Sequence, residues 1–370
     1  EDEAEEVDDA GVPVILVTAN KRAQSIQDVP VSVVALQPEK LEQAGIVSTA
    51  DLPQLVPGLT FNPAGEAKLN SFNIRGVGTY ALTATLESSV GVAVDGVPLA
   101  RVGGSITDMV DVERVEVLKG PQGMLFGKNA TAGLISIVNR KPEIGVDEGA
   151  INIEYGSYNE LNIDGVANVA LGEKAALRVT GWRYGHDGFI FGPDGQMYGQ
   201  KNSYGVRAGL ALEPTPDLSI TLIGQFDGRD ERSTANTHRL FTGTTPFGLI
   251  VEDWARSRGI VPGPENLQGE FYARPYAQSE NYYLTGLIDW DIGSGYVVSS
   301  ATSYRSVETR GQMDPFTTSS PLLHLERLSN DETYDQFTQE LRIASPTDRP
   351  LSFVAGLFYY QFDVTDVQNQ

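Results

Sequence analysis

Cysteine is absent from all 370 residues, which removes disulfides, thiolate metal sites and cysteine nucleophiles together. Histidine is almost as scarce. His186, His238 and His324 stand far apart with no HxxxH-type spacing, so each reads as a solvated loop or strand residue before it reads as a metal ligand, and no metal site is assigned. Positive charge is short as well: 27 Lys and Arg face 49 Asp and Glu, a formal net charge of −22. Nucleic-acid binding needs a basic footprint, and this balance argues against it. No uninterrupted apolar run is long enough for a membrane helix, which excludes a helical membrane protein but not one that crosses with strands. Apolar content of 41% can build a core in a chain too long for one small domain. A secretory leader is not visible either. Residues 1–9 read EDEAEEVDD, so the chain is expected to have been processed or trimmed, and like charges crowded there are expected to leave an acidic tail over residues 1–11 disordered.

Glycine is abundant where it matters. Residues 112–140, VERVEVLKGPQGMLFGKNATAGLISIVNR, set Gly120, Gly123, Gly127 and Gly133 between two β-branched runs, and turns there are expected to need backbone conformations that a Cβ resists. A glycine followed by lysine invites a phosphate-loop assignment. The spacing fails, because three residues separate Gly123 from Gly127 and Asn129 stands where Ser or Thr would ligand magnesium. Earlier segments carry their own marks: residues 14–22 read VILVTANKR, residues 73–78 NIRGVG with Gly76, and residues 92–98 VAVDGVP with Gly96. Asp95-Gly96 is a turn signal between β-patterned halves, so Asp95 reads as a turn residue before it reads as a ligand. Residues 38–44, PEKLEQA, and 49–55, TADLPQL, are short helical candidates.

These four segments, in this order, resemble the plug domain of TonB-dependent outer-membrane receptors. Phe126 stands where that family commonly has Tyr, and Ala132 and Leu134 lie in a segment usually written with a Gly-Gly pair; neither departure removes a turn glycine. The resemblance implies a mixed α+β plug followed by an antiparallel transmembrane β-barrel of about 22 strands. It divides the chain into the tail (1–11), a TonB-box-like coupling segment (12–22), a plug (23–143) and the N-terminal portion of the barrel (144–370). It implies that Val14, Ile15, Leu16, Val17 and Thr18 add as a strand to the periplasmic C-terminal domain of TonB, itself energised by ExbB and ExbD. Such a run has high β-propensity at a mobile end, and edge pairing supplies affinity through backbone hydrogen bonds. It also implies that Arg75 and Arg114 lock the plug to barrel glutamates.

From about residue 145 the texture becomes period two. Ile151, Ile153 and Tyr155 oppose Asn152 and Glu154, and Leu161, Ile163 and Val169 oppose Asn162, Asp164 and Asn168. In a soluble sandwich the apolar face would point inward; in a membrane barrel it would face lipid, and periodicity alone does not choose. Connection lengths favour the barrel: tight turns at residues 171–174, 213–217, 291–294 and 345–349 alternate with long connections at 185–201, 228–279 and 307–333. Trp182, Tyr184, Trp290, Tyr359 and Tyr360 stand near strand ends, as a membrane girdle would place them. About nine strands are countable, too few to surround a plug, so the chain is expected to be part of a longer receptor.

Function follows as an expectation of active import. No triad, metal cluster or paired catalytic carboxylates stand out, so no catalytic residue, enzyme activity or cofactor is assigned. The expected cargo is a scarce, bulky extracellular nutrient, a ferric siderophore by preference, with an oligosaccharide or aromatic compound as the alternative. Arg229, Arg232, Trp254, Tyr272 and Tyr276 in the long connection after residue 228 are the ligand-binding candidates, able to stack on rings and pair with anions. A passive β-barrel pore and a surface carbohydrate-binding β-protein are the readings from other classes. Neither has a use for the ordered glycine motifs.

Overall fold

The computed structural model describes residues 15–18, 21–22, 24–63, 70–79, 87–101, 107–192, 194–232, 237–240, 244–269, 275–313, 328–347 and 349–369. Chain order opens with a short antiparallel pair, β1 (Leu16–Val17) and β2 (Gln24–Ser25), with Leu16 opposite Ser25. The N-terminal domain continues through β3 (Ser32–Leu36) and α1 (Pro38–Gln43), the helix starting at proline because its first turn has no use for that N–H. The second helical candidate is a 3-10 turn over Thr49–Gln54, not an α-helix. Pro53 lies inside it, and a capping box between Ser48 and Asp51 closes its start. Then come β4 (Leu59–Asn62), β5 (Ser71–Ile74), β6 (Val77–Gly78), β7 (Val90–Val94), β8 (Val97–Pro98), β9 (Val112–Lys119), the single helical turn α2 (Gly123–Phe126) and β10 (Gly133–Asn139).

β10 is the middle of a five-stranded sheet ordered β3-β9-β10-β7-β8. It pairs antiparallel with β9 and parallel with β7, and Leu134, Ile135 and Ile137 are buried. One core packs Leu36, Leu52, Phe72, Val92, Val115 and Ile135 together; each large apolar side chain so buried contributes about 1.5–3 kcal/mol before entropy is counted. Two turn glycines differ from their sequence reading. Gly123 has ordinary backbone angles and opens α2. Gly133 also has ordinary angles, and its constraint is space: a Cβ there would lie 2.4 Å from the Leu118 carbonyl oxygen and 2.5 Å from Ile74 Cδ1. Gly76, Gly96, Gly120 and Gly127 do have positive φ.

The second half is one antiparallel wall. Its strands are β11 (Glu148–Gly156), β12 (Glu160–Ala170), β13 (Ala175–His186), β16 (Lys201–Thr215), β17 (Leu218–Glu231), β18 (Tyr276–Asp291), β19 (Val297–Met313), β20 (Leu328–Ala344) and β21 (Val354–Asn369), hydrogen-bonded in that order. A small hairpin, β14 (Ile190–Phe191) with β15 (Met197–Tyr198), interrupts the long connection after β13. Another connection carries α3 (Pro246–Ser257), capped by the Thr245 hydroxyl accepting from the Gly248 N–H.

The two faces of this wall are inverted relative to a water-soluble sheet. Ile151, Ile153 and Leu284 are 75, 69 and 62% exposed, while Asn168, Thr180, Arg178 and Gln336 are buried against the N-terminal domain. Apolar outward and polar inward is the pattern of a sheet with lipid outside and a filled lumen inside. That resolves what periodicity left open: the architecture is a mixed N-terminal domain seated on part of an antiparallel barrel. Trp182 and Tyr184 are corrections to the girdle reading, since both point inward and are buried. Trp290 and Tyr359 do face outward, at 52 and 56% exposure.

Candidate interface between the N-terminal domain and the barrel wall

Two seams hold the domain to the wall, and their charges are opposite in sense. Residues just before β9 supply carboxylates, and β13, β16 and β17 supply the cations. Asp111 takes both arms of Arg178, from Nε at 2.8 Å and Nη2 at 2.6 Å, and also the Thr180 hydroxyl at 2.7 Å. Asp108 takes the Arg229 guanidinium at 2.8 Å and the Trp182 indole N–H at 3.0 Å. Arg207 donates to Asn139 Oδ1 and to the carbonyls of Val110 and Asp111. These residues converge because alternation puts 178, 180 and 182 on one face of β13, and the ladder sets Thr180 opposite Arg207. A bidentate guanidinium–carboxylate pair with few solvent contacts is costly to break from one side. Burial raises the Asp111 carboxyl, but the bonds from Arg178 and Thr180 and the charge of Arg207 outweigh it and hold the group below its usual range.

The other seam runs along β20, where Glu332, Gln336 and Glu340 share the inward face. Gln336 donates to the Pro98 carbonyl at 2.7 Å and accepts from the Ala100 N–H at 2.8 Å. Arg101 lies 3.7 Å from Glu332, and Lys21 is 3.0 Å from Glu340. Lys21 also donates to the Gly96 carbonyl and sits 4.4 Å over the Phe126 ring. Burial lowers the Lys21 pKa even with Glu340 beside it. Asp95, in the left-handed conformation that its turn needs, accepts from the backbone and side-chain amides of Asn139; burial raises its pKa.

The segment at β1 is docked rather than free. Val17 is fully buried among Leu118, Phe126 and Leu134, and Leu16 is 43% exposed. The Thr18 N–H and hydroxyl donate to the buried carboxylate of Glu116 at 2.9 and 3.0 Å, and the Ile15 carbonyl accepts from the Ile26 N–H. Arg22 reaches Ser352 and the Phe353 carbonyl at a short turn of the wall. Val14 lies outside the described residues.

Other sequence candidates fall in different places. Arg114 pairs with Glu116 at 2.8 Å and with Glu113, and Arg75 donates to the Ser32 hydroxyl at 3.1 Å; these contacts lie within the N-terminal domain. Arg229 is not on a loop. β17 extends past it in register with β18, and it points inward to Asp108. Arg232 follows the end of β17, its carbonyl accepting from the Gly199 N–H; Tyr276 begins β18, and Trp254 is on α3 beside Arg258. Tyr272 lies outside the described residues. Arg232, Tyr276 and Tyr198 line one outer cleft, whereas Trp254 is elsewhere. Among the described residues no cluster of three or more His, Asp or Glu is arranged to hold a metal ion. Sequence reading missed Asp108, Asp111, Arg178 and Arg207; the available signal was an arginine recurring on the polar face of adjacent strands.

Comparison with known proteins agrees with this arrangement. Residues 25–134 match the family model of the TonB-dependent receptor plug domain. Over 157 residues the chain is 34% identical to the pesticin receptor of Yersinia pestis, a match covering 41% of this chain and 23% of that protein. It is 31% identical over 134 residues to the vitamin B12 transporter BtuB of Vibrio vulnificus, covering 35% and 21%. Among solved structures, the ferric yersiniabactin uptake receptor FyuA from Yersinia pestis overlays with a TM-score of 0.76 at 21% identity, covering 91% of this chain and 49% of that one. The siderophore receptor PiuA from Acinetobacter baumannii overlays at 0.72 and 17%, covering 93% and 47%. The matches thus span less than a quarter of these curated relatives and about half of the solved receptors. Fold and interface define a plug-like domain seated against the polar face of part of an antiparallel β-barrel. Residues 25–134 match the TonB-dependent receptor plug domain, and the antiparallel wall that follows has the fold of part of the barrel in these solved receptors.

Proposed function

We propose that this chain is the plug and first barrel strands of an importer that takes a scarce, bulky nutrient, a ferric siderophore by preference, across the Gram-negative outer membrane. The observation that carries the reading is an inverted sheet, apolar outward, that holds an ion-paired domain against its polar face. A passive pore has no use for such a domain. The structures it resembles include the ferric yersiniabactin uptake receptor FyuA and the siderophore receptor PiuA, which favours that cargo over an oligosaccharide. In this mechanism the plug blocks leakage, the ligand binds outside, and TonB takes hold of residues 14–18 by strand addition. ExbB and ExbD supply the energy, and no covalent step is needed, so the protein is read as a transporter and not an enzyme. Arg75 and Arg114 as additional locks to barrel glutamates, and the outer residues Arg232 and Tyr276 as ligand contacts, remain parts of this proposal.

Because Val17 and Thr18 are docked on the plug, TonB must capture the segment after it detaches. The population available is set by the Glu116 bonds and the burial of Val17. The test is nutrient-dependent growth of cells bearing the intact receptor, wild type against Val17→Pro, in iron-chelated and in carbohydrate-limited media. Proline removes a backbone donor and spoils strand addition. Loss of growth in iron-chelated medium is the expected result. Unchanged growth in media where deletion of the receptor is harmful would refute TonB coupling through this segment.

A further inference from the structure

The seams differ in what happens to them when the N-terminal segment is pulled. On the β13–β17 side every anchor belongs to the body of the plug: Asp108, Val110, Asp111 and Asn139. On the β20 side one of the two ion pairs is made by Lys21, which lies in the segment itself. Withdrawing residues 15–22 removes that pair and the Arg22 contacts with the turn at Ser352, and leaves the β13–β17 anchors untouched.

A cavity of about 680 Å³ lies on the side that loosens. Its outer wall is formed by β18, β19 and β20 with Asp289, Ser299 and Glu340, and its inner wall by plug residues Arg114 and Lys141. Leu16, Thr18, Lys21 and Arg22 form part of its lining, and so do Gly295 and Pro346, which belong to the short turns. Short turns mark the periplasmic rim of such a barrel. The coupling segment therefore stands in the periplasmic mouth of a space already present between plug and wall. Both signs of charge and several hydroxyls line it, which suits a polar, hydrogen-bonding solute and not an apolar one.

We infer that the plug stays anchored on the β13–β17 wall while the solute leaves along the β18–β20 wall, through a cavity whose stopper is the coupling segment. The inference rests on the import reading and adds a side and an exit to it. Opening requires loss of the Lys21–Glu340 pair, the Thr18–Glu116 bonds and the buried Val17 at the stopper, and then parting of the plug from the wall further along the same side, where Gln336 bonds Pro98 and Ala100. It does not require the Arg178–Asp111 pair to break.

These 370 residues contain no cysteine, so a labelling test needs only that any cysteine elsewhere in the intact receptor be replaced by serine. Ser299→Cys places a thiol on the cavity wall, and Ala176→Cys places one on the anchored strand β13, where the native residue is 0% exposed. Cells carrying the intact receptor are treated with a polar maleimide admitted to the periplasm, with nutrient present, with and without functional TonB. Labelling at Ser299→Cys should rise several-fold with TonB and stay flat at Ala176→Cys. As a second variant, Ala100→Cys with Val307→Cys bridges plug to β19 within one buried cluster; oxidation should stop uptake and reduction should restore it. Equal or reversed labelling, or full uptake through the oxidised bridge, would overturn the inference alone. TonB-independent uptake by the unsubstituted receptor would overturn the import reading, and this inference with it.

Discussion

If the plug is held on one side by its carboxylates, the Asp111–Arg178 pair should be measurable as a coupling energy. Asp111→Asn removes the charge but keeps the shape, leaving Arg178 with Glu148, which lies 2.6 Å away and is partly exposed. Arg207 retains its bonds to Asn139 and to two backbone carbonyls. Breaking a buried pair from one side costs about 3–5 kcal/mol, and the remaining partners place this case near the lower end, about 3 kcal/mol. That is roughly a hundredfold in plug retention, since 1.4 kcal/mol is tenfold. The assay is urea-induced release of the plug from the refolded full-length receptor, reported by a fluorophore on Met124→Cys, which is 96% exposed. With a slope of about 1–3 kcal/mol per molar urea, the midpoint should fall by about 1–3 M. A cycle with Arg178→Gln should give a coupling of at least about 1.5 kcal/mol. A coupling below about 0.5 kcal/mol, the ordinary error of additivity, would refute the assignment of this pair as an anchor.

Three further outcomes test other parts of the structure. Glu116→Gln should weaken docking of β1 by about 1.5–3 kcal/mol through loss of charge-assisted bonds, read as faster proteolysis within residues 15–22; unchanged protection would mean that Val17 burial alone holds the segment. Leu284→Arg should cost about 2–4 kcal/mol when the receptor folds into lipid vesicles, and no cost would mean that the exposed apolar face does not meet lipid. Acid should release the plug in a defined direction. The docked Asp111 carboxyl titrates below its ordinary 3.8, so its contribution is complete above pH 3.8 and is lost as pH falls through the depressed value. The urea midpoint should therefore drop below pH 3.8 in the wild type and drop less in Asp111→Asn; equal drops would assign the effect to other groups.

Much of the plug was legible because its signals are local. Asp95-Gly96 needs left-handed backbone wherever it occurs in such a hairpin, and VERVEVL is β-patterned by itself. The strand wall was legible in period but not in polarity: Leu161 and Asn162 alternate identically whether lipid or a core lies outside. What decides is the plug packed against Asn168, Thr180 and Arg207, a long-range fact. The anchors were hidden for the same reason. Asp111 and Arg178 are 67 residues apart, and neither has an unusual neighbour. Arg229 is counted in the long connection after residue 228, yet the ladder continues to Glu231 opposite Ala277. In α3 the signal was present: Thr245 caps the helix and Pro246 starts it.

The distribution of charge also explains how a plug can be both tight and removable. Arginine forks on rigid strands meet carboxylates in short, multiply bonded contacts, and such contacts fail together or not at all. Lys21 offers a single flexible point charge, one whose pKa is lowered by burial and which is therefore held at a cost. Glutamine supplies the middle of that seam with neutral bonds to backbone, weaker individually than charged ones. A force applied at residue 15 thus reaches the Lys21 and Arg22 contacts and the Thr18–Glu116 bonds first, and it loads Asp111 and Asp108 only through β9, whose first residue follows Asp111. The order of rupture is set by where the chain enters the plug, and entry beside β20 makes that side the one that yields.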